Sequence, residues 1–273
     1  MPNLPLILIT NDDGIASPGL RAAARALLGL GELLVVAPAT QQTAMGRSFA
    51  GRGDATLESV SFQVDGVTLR AYACEGSPAS VVAHGLQVLC AEALPALVVS
   101  GINYGENLGS SISASGTVGA AMEAATWGIP ALAASQQMHP STFFHHGEQD
   151  WAAATHFLRS FAQRMLACAL PFDVDLLKVD VPEGATVETP WRLSRLSRQR
   201  YIEMVLDEPT LASRIGDRRL TIQVDAETLV AGTDIHALVT DRVVSVTPLS
   251  LDATSRADFG ALRRLLGDAA QAY

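Results

Sequence analysis

Short apolar runs without polar alternation recur along this chain, and they limit what it can fold into more than any other feature. They occupy residues 4–10 ("LPLILIT"), 33–38 ("LLVVAP"), 95–100 ("PALVVS") and 129–135 ("IPALAAS"), and a fifth run at 175–182 ("DLLKVDVP") has charges set into it. A strand with one wet face alternates apolar and polar side chains. A strand that does not alternate is covered on both faces, as in a parallel sheet flanked by helices. The intervening segments supply those helices. Ser17-Pro18 and Ser77-Pro78 read as an N-cap followed by proline at the first helical position, opening "GLRAAARALLGLG" and "ASVVAHGLQVLCAEAL". "TVGAAMEAATWG" and residues 150–167 read as two further helices, and the alternating stretch 56–72 as a small hairpin turning at Asp65-Gly66.

This order predicts an α/β protein, a Rossmann-like three-layer sandwich with a mostly parallel sheet. The texture changes after Pro182. "PWRLSRLSRQRYIEMVLDEP" and "RRLTIQVDAE" are more charged and read as longer, exposed strands; "RVVSVTPL" reads as one more strand, and 257–270 as a terminal amphipathic helix. Without repeats, low-complexity tracts or a clear linker, the expectation is one domain over 1–273. Its core is 1–182, and 183–273 is a C-terminal β/α extension used in assembly.

With 48% apolar and 17% charged residues in 273, the chain can build a sizeable core. Its net charge of -9 argues against a stable nucleic-acid complex, which favours basic surfaces, but leaves room for a small anionic substrate held by a metal ion or backbone N–H groups. Cys74, Cys90 and Cys168 are far apart and form no C-x-x-C pair, so they read as reduced thiols. The run at 4–10 is too short for a signal h-region or a membrane span, and a cytoplasmic protein with no membrane partner is expected.

The polar residues just past the apolar runs carry the chemistry. Asn11, Asp12, Asp13 and Gly14 follow the first run, Thr43 lies shortly after the second, and Gly101 and Asn103 follow the third. Ligands of open α/β sheets bind outside the carboxyl ends of the strands, so three distant clusters converge on one edge. Two carboxylates, a hydroxyl and a carboxamide offer only oxygen donors, which suits a hard divalent cation such as Mg²⁺ or Mn²⁺. Adjacent buried carboxylates also repel, and a cation relieves that repulsion. Each piece has a plainer reading by itself: Asn11–Gly14 as a polar turn with Asx-type capping, Thr43 as a solvated hydroxyl, Asn103 as a turn asparagine. Their convergence favours the metal. The glycine-rich stretch 101–116 then leads into Ser115-Gly116-Thr117 at the start of a helix, an arrangement whose free N–H groups bind phosphate. It carries neither G-x-G-x-x-G nor G-x-x-x-x-G-K-[ST]. His84 and His156 fall in expected helices, His139, His145 and His146 in a loop, and His236 near the C-terminus; none forms a ligand pattern.

Taken in order, "ILITNDDGIASPGL", "VVAP", "EGSPASVV", "VSGINYGENLG", "SGTVGAAMEA", "GIPALAAS" and "TDIHALVTDRVVSVTPL" resemble the successive motifs of the SurE family of metal-dependent 5′/3′-nucleotidases. The resemblance runs from about residue 6 to 249. It implies one divalent metal ion (Mg²⁺ or Mn²⁺) on Asp12, Asp13, Thr43 and Asn103, hydrolysis of nucleoside monophosphates, and a homodimer or homotetramer built partly by exchange of C-terminal segments. Asn107, Ser115, Gly116 and Thr117 match the family's phosphate-side loop, with Asp12, Asp13 and Asn107 as the residues acting in catalysis. The family usually has serine where Thr43 stands, often aspartate at Ser80 and Ser111, and often tyrosine at Ala114. A non-catalytic nucleotide-binding or regulatory protein on the same fold is the alternative.

Overall fold

The computed structural model of the protein describes residues 4–139, 142, 147 and 149–267. The first apolar run forms strand β1 (Leu6–Thr10), followed by helix α1 (Pro18–Leu27) and strand β2 (Glu32–Pro38). Next come β3 (Glu58–Ser59), β4 (Phe62–Val64), β5 (Val67–Cys74) and α2 (Pro78–Leu89). The chain continues through β6 (Leu97–Tyr104), a 3-10 turn at Gly109–Ala114, α3 (Gly116–Thr126), β7 (Ala131–Gln136), α4 (Ala152–Ala167) and β8 (Leu176–Val181). These build an α/β three-layer fold around a ten-stranded sheet of order β3-β5-β2-β1-β6-β7-β8, then two strands from the C-terminal part, with β4 paired to β5. Strands β5, β2, β1, β6, β7 and β8 run parallel.

The absence of alternation in β1 now has its cause. Ile7 and Ile9 pack into one core layer with Leu20 and Leu27 of α1 and Phe157, Leu158 and Phe161 of α4. Leu8 points the other way, into a second layer with Val81, Val82 and Leu86 of α2 and Val118, Ala121 and Ala124 of α3. Val35 and Val36, and Val98 and Val99, divide between the two layers in the same manner. Successive side chains leave a strand on opposite faces, so a strand between two helix layers must be apolar at every position.

The hairpin turns where expected. Asp65 (φ 50°) and Gly66 (φ 80°) sit between β4 and β5, the two positive φ values that a tight hairpin turn needs. The proline signals also place the helix starts, yet neither serine caps its helix. Ser17 Oγ is buried without a partner, while Ser77 Oγ is committed to the loop below it, donating to Ser48 O and accepting from Ala50 N–H at 3.1 Å. Cys74 and Cys90 are buried and Cys168 is exposed, all as free thiols. His145 and His146 lie outside the described residues.

The C-terminal part departs most from expectation. Instead of long strands it forms short ones: β9 (Trp191–Leu193), β10 (Ile202–Val205), β11 (Arg219–Ile222) and β12 (Val244–Leu249). β12 joins the main sheet antiparallel to β8 and carries β9 on its far side, while β10 and β11 make a separate antiparallel ribbon. Helix α5 spans Phe259–Leu266, inside the expected 257–270, and closes at Gly267 in the left-handed conformation; positions 268–270 of that expectation lie outside the described residues. No helix among the described residues is long and apolar enough to cross a membrane.

Candidate active site

The chain moves outward from β1 to β2 and β5, then returns to place β6 on the other side of β1. The strand order therefore reverses between β1 and β6, which opens a crevice at their carboxyl ends. Asn11-Asp12-Asp13 leaves β1 at that point. Asn103 also stands there, although not past the end of its strand as the sequence suggested. β6 runs on to Tyr104 through an irregularity between Ser100 and Asn103, and Asn103 pairs with Ser135 of β7.

Both carboxylates are nearly sealed from solvent, Asp12 at 7% and Asp13 at 6% exposure. Asp12 Oδ1 accepts from the Thr117 hydroxyl, and Asp13 accepts from the Tyr104 N–H at 3.1 Å and from Gln41 Nε2 at 3.1 Å. The Asp12 backbone carbonyl accepts from the Gln42 N–H at 2.7 Å, so the loop after β2 lies directly on the pair. A Cβ on Gly116 would stand 2.7 Å from Asp12 Cβ and 2.8 Å from Asp12 Oδ2, closer than non-bonded carbons approach. Only glycine lets the first turn of α3 come this near to the carboxylate. Gly14 meets a similar demand: its φ is +91°, and a Cβ there would lie 2.9 Å from the backbone of Thr40.

Burial, with repulsion from Asp13 added to it, pushes the Asp12 carboxyl from 3.8 up to about 7. Close by, Asn11 Oδ1 is a buried oxygen without a hydrogen-bond partner. Two crowded carboxylates, one held near neutrality, are what a divalent cation would correct. The donor set also fits one. Asn103 commits its Nδ2 to Gly105 O at 2.6 Å, which leaves its carbonyl oxygen as a donor. Among the described residues no three His, Cys, Asp or Glu side chains group around a possible metal. Oxygens beyond the two carboxylates would have to come from amide, hydroxyl or water. Thr43 is exposed, one residue past Gln42, on the loop that covers the pair.

Of the residues expected on the phosphate side, Ser115, Gly116 and Thr117 open α3. Ser115 caps the helix, its Oγ accepting from Val118 N–H at 3.1 Å, and the N–H groups of Gly116 and Thr117 stand at the helix's positive end. The Thr117 hydroxyl is spent on Asp12 rather than left for a ligand. Asn107 gives one side-chain N–H to Ser135 Oγ at 2.9 Å and its backbone N–H to Asp180 Oδ1 at 2.8 Å. Ser111 accepts from Ile202 N–H, and Ser80 pairs with Ser77, so both serines have structural partners. Thr40 and Gln42 also border a cavity of about 270 Å³ with Gly51, Glu75, Gly76 and Ser77.

Several supporting residues escaped the sequence reading. Gln41 and Tyr104 hold Asp13, Ser135 holds Asn107, and Tyr201 donates its hydroxyl to the buried Glu106. Their signal in the sequence is weak, because an isolated Gln, Ser or Tyr fits many surroundings. Lys178 and Asp180 did carry one: two charges inside an otherwise apolar strand must be paired.

A sequence model of the family described as Survival protein SurE matches residues 7–203. The chain is 41% identical over 270 residues to the 5'-nucleotidase SurE of Methanocella arvoryzae, covering 96% of this chain and 98% of that protein. It is 41% identical over 265 residues to the 5'-nucleotidase SurE of Thermococcus gammatolerans, covering 95% of each. Among solved structures it resembles the SurE protein of Aquifex aeolicus with a TM-score of 0.73 and 30% identity, over 96% of this chain and 100% of that one. With its sheet, its acidic pair at the switch point and these relatives in agreement, the chain belongs to the SurE family.

Proposed function

We propose that the protein is a metal-dependent phosphomonoesterase that hydrolyses nucleoside 5′-monophosphates to nucleoside and phosphate, with 3′-monophosphates as the second substrate class to be tested. The observation that carries this reading is the placement of Asp12, the neighbour of Asp13, against the first turn of α3, where Gly116 leaves no side chain between them. Cation-seeking oxygens and anion-seeking N–H groups thus face one crevice, the arrangement a phosphate ester with its metal ion requires. The names of the relatives support the same reading.

Asp12, Asp13, Asn103 and Thr43 would hold the ion, Mg²⁺ or Mn²⁺. When bound, such an ion neutralises phosphate charge and acidifies water. The remaining work falls to the chain. The Gly116 and Thr117 N–H groups and the second side-chain N–H of Asn107 grip phosphoryl oxygens and stabilise the charge that builds on them. Thr117, Tyr104 and Gln41 fix the rotamers of the acidic pair. We assign the proton released by the attacking water to Asp12 Oδ2, the oxygen opposite the one that accepts from Thr117.

Assembly and location belong to the same proposal. None of the α5 residues is buried; Leu265 is 80% exposed and Leu266 74%, and Leu211 and Ile215 stand exposed between the ribbon strands. Unpartnered apolar faces of this kind fit a homodimer or homotetramer. The three free thiols fit a cytoplasmic setting.

The test is phosphate release from a panel of nucleoside 5′- and 3′-monophosphates with Mg²⁺, Mn²⁺ or a chelator, run beside Asp13→Asn. Metal-dependent turnover that the variant lacks is expected. Nucleotide binding without turnover under any metal would overturn the hydrolase reading and leave a nucleotide-binding protein.

A further inference from the structure

The most heavily buried charges of the molecule lie outside the acidic pair. Lys178 and Asp180, two residues apart on β8, project from the same face of the strand, and Asp234 reaches them from the C-terminal part; all three are 0% exposed. Lys178 Nζ binds Asp180 Oδ2 and lies 3.3 Å from Asp234 Oδ2. Burying one cation with two anions is costly unless each remaining oxygen is used. Here each is. Asp180 Oδ1 accepts from Asn107 N–H at 2.8 Å, Asp234 Oδ2 from Gly109 N–H at 2.9 Å, and Asp234 Oδ1 from Ser197 N–H at 2.8 Å and Ile235 N–H at 2.9 Å.

Two of these acceptors therefore grip the backbone on either side of Leu108, between the Asn103 position and the 3-10 turn that feeds α3. The same loop is tied to the C-terminal part elsewhere. Ser110 N–H donates to Gln199 O at 3.1 Å, Ile202 N–H to Ser111 Oγ at 3.1 Å, and Tyr201 to Glu106. A hydrophobic contact set of Leu108, Tyr201, Ile235 and Leu238 fills the space between these bonds. The charged and titratable groups around Lys178 are Asp180, Asp234 and, farther along the loop, Glu106 with Tyr201. Burial opposes the ammonium, but Asp180 and Asp234 outweigh it, and the Lys178 pKa stays above its ordinary value.

We propose that Lys178 is a positioning residue: clamped between Asp180 and Asp234, it fixes the Asn107–Gly109 backbone in the form that receives the substrate's phosphate, which makes the C-terminal segment bearing Asp234 part of the active centre. Lys178 touches no substrate. Without it two buried carboxylates face each other, and their repulsion is relieved by letting go of the loop. The acidic pair is held by other groups, Thr117, Tyr104 and Gln41, so the clamp acts on the phosphate side and not on the metal side.

The inference rests on the hydrolase reading for its meaning, but its test does not need turnover. Binding of inorganic phosphate to the Mn²⁺-loaded full-length protein is measured by calorimetry for the wild type, Lys178→Met and Asp234→Asn. Mn²⁺ affinity and the steady-state constants for the best nucleoside monophosphate are measured on the same samples. Lys178→Met is expected to weaken phosphate binding and raise KM by tenfold or more, and Asp234→Asn by threefold or more, with Mn²⁺ affinity within twofold of the wild type. A residue that merely supports folding would lower the active fraction, and so the apparent kcat, leaving KM and phosphate affinity unchanged. That pattern overturns the proposal, as does a wild type that binds no phosphate. If Lys178→Met fails to fold, Asp234→Asn, which keeps the Lys178–Asp180 pair and loses one acceptor, decides alone. Phosphate binding that responds as stated in a protein without turnover would sink the hydrolase reading and leave the clamp standing.

Discussion

Removing a charge from the acidic pair should stabilise the metal-free protein. The perturbation is Asp12→Asn, which keeps the Oδ1 acceptor used by Thr117 and the shape of the side chain. The Asp12 carboxyl titrates at about 7 in the folded chain against 3.8 for a free one, mainly through burial and then through Asp13. A carboxyl whose folded pKa is raised binds its proton more tightly in the native state. The wild type therefore loses stability as pH rises from about 4 to about 7, and the loss is complete above that range. A shift of this size corresponds to about 4 kcal/mol. At about 2–4 °C per kcal/mol for a chain of this length, Asp12→Asn should melt roughly 10 °C above the wild type in excess chelator near pH 8.5. The difference should shrink as pH falls through 7 and vanish below about pH 3, where the wild-type carboxyl is protonated in both states. Calorimetric or circular-dichroism melts across this range read it directly. Saturating Mn²⁺ should reverse the order, because an ion that binds only the native site raises the wild-type melting temperature by mass action and the variant lacks one of the proposed ligands. A variant that melts below the wild type in chelator at pH 8.5 would refute the reasoning, since the charge at Asp12 would then be stabilising without a cation.

Two further outcomes follow from the geometry. Gly116→Ala puts a methyl 2.7 Å from Asp12 Cβ, so it should cost about 1–3 kcal/mol of stability and, by displacing Asp12, lower kcat/KM more than tenfold; an unchanged kcat/KM would show that the close approach is not needed. The pair Leu262→Glu and Leu266→Glu on α5 should lower the sedimentation coefficient of the protein while leaving its monomer fold intact, because no residue of that helix is buried in the chain itself; sedimentation identical to the wild type would remove α5 from the assembly surface.

The sequence by itself determined the layers, the turn at Asp65-Gly66 and the sheet edge at which the candidate site stands. A strand that lacks alternation has only one stable setting, between two layers of helices, and the polar residues that end it must then emerge at the sheet's carboxyl edge. The acidic pair, Asn103 and the Ser115–Thr117 turn were legible for that reason, each fixed by its distance from a strand or helix end. Tertiary structure alone decided which strand ends adjoin, since the reversal between β1 and β6 depends on how crossovers wind and not on any local residue. It also carried β6 past its expected end, so that Asn103 lies within the strand. The C-terminal part was the least legible. Its strands are short and mostly exposed, and periodicity needs a buried face to write itself into a sequence. Reading it as an assembly element missed that Tyr201, Asp234 and Gln199 hold Glu106, Gly109 and Ser110 of one loop, and that Lys178 pairs with Asp234 behind it. Hydrogen bonds and ion pairs between residues up to 125 positions apart leave no spacing for a sequence to show. They exist only once the fold has brought their partners together.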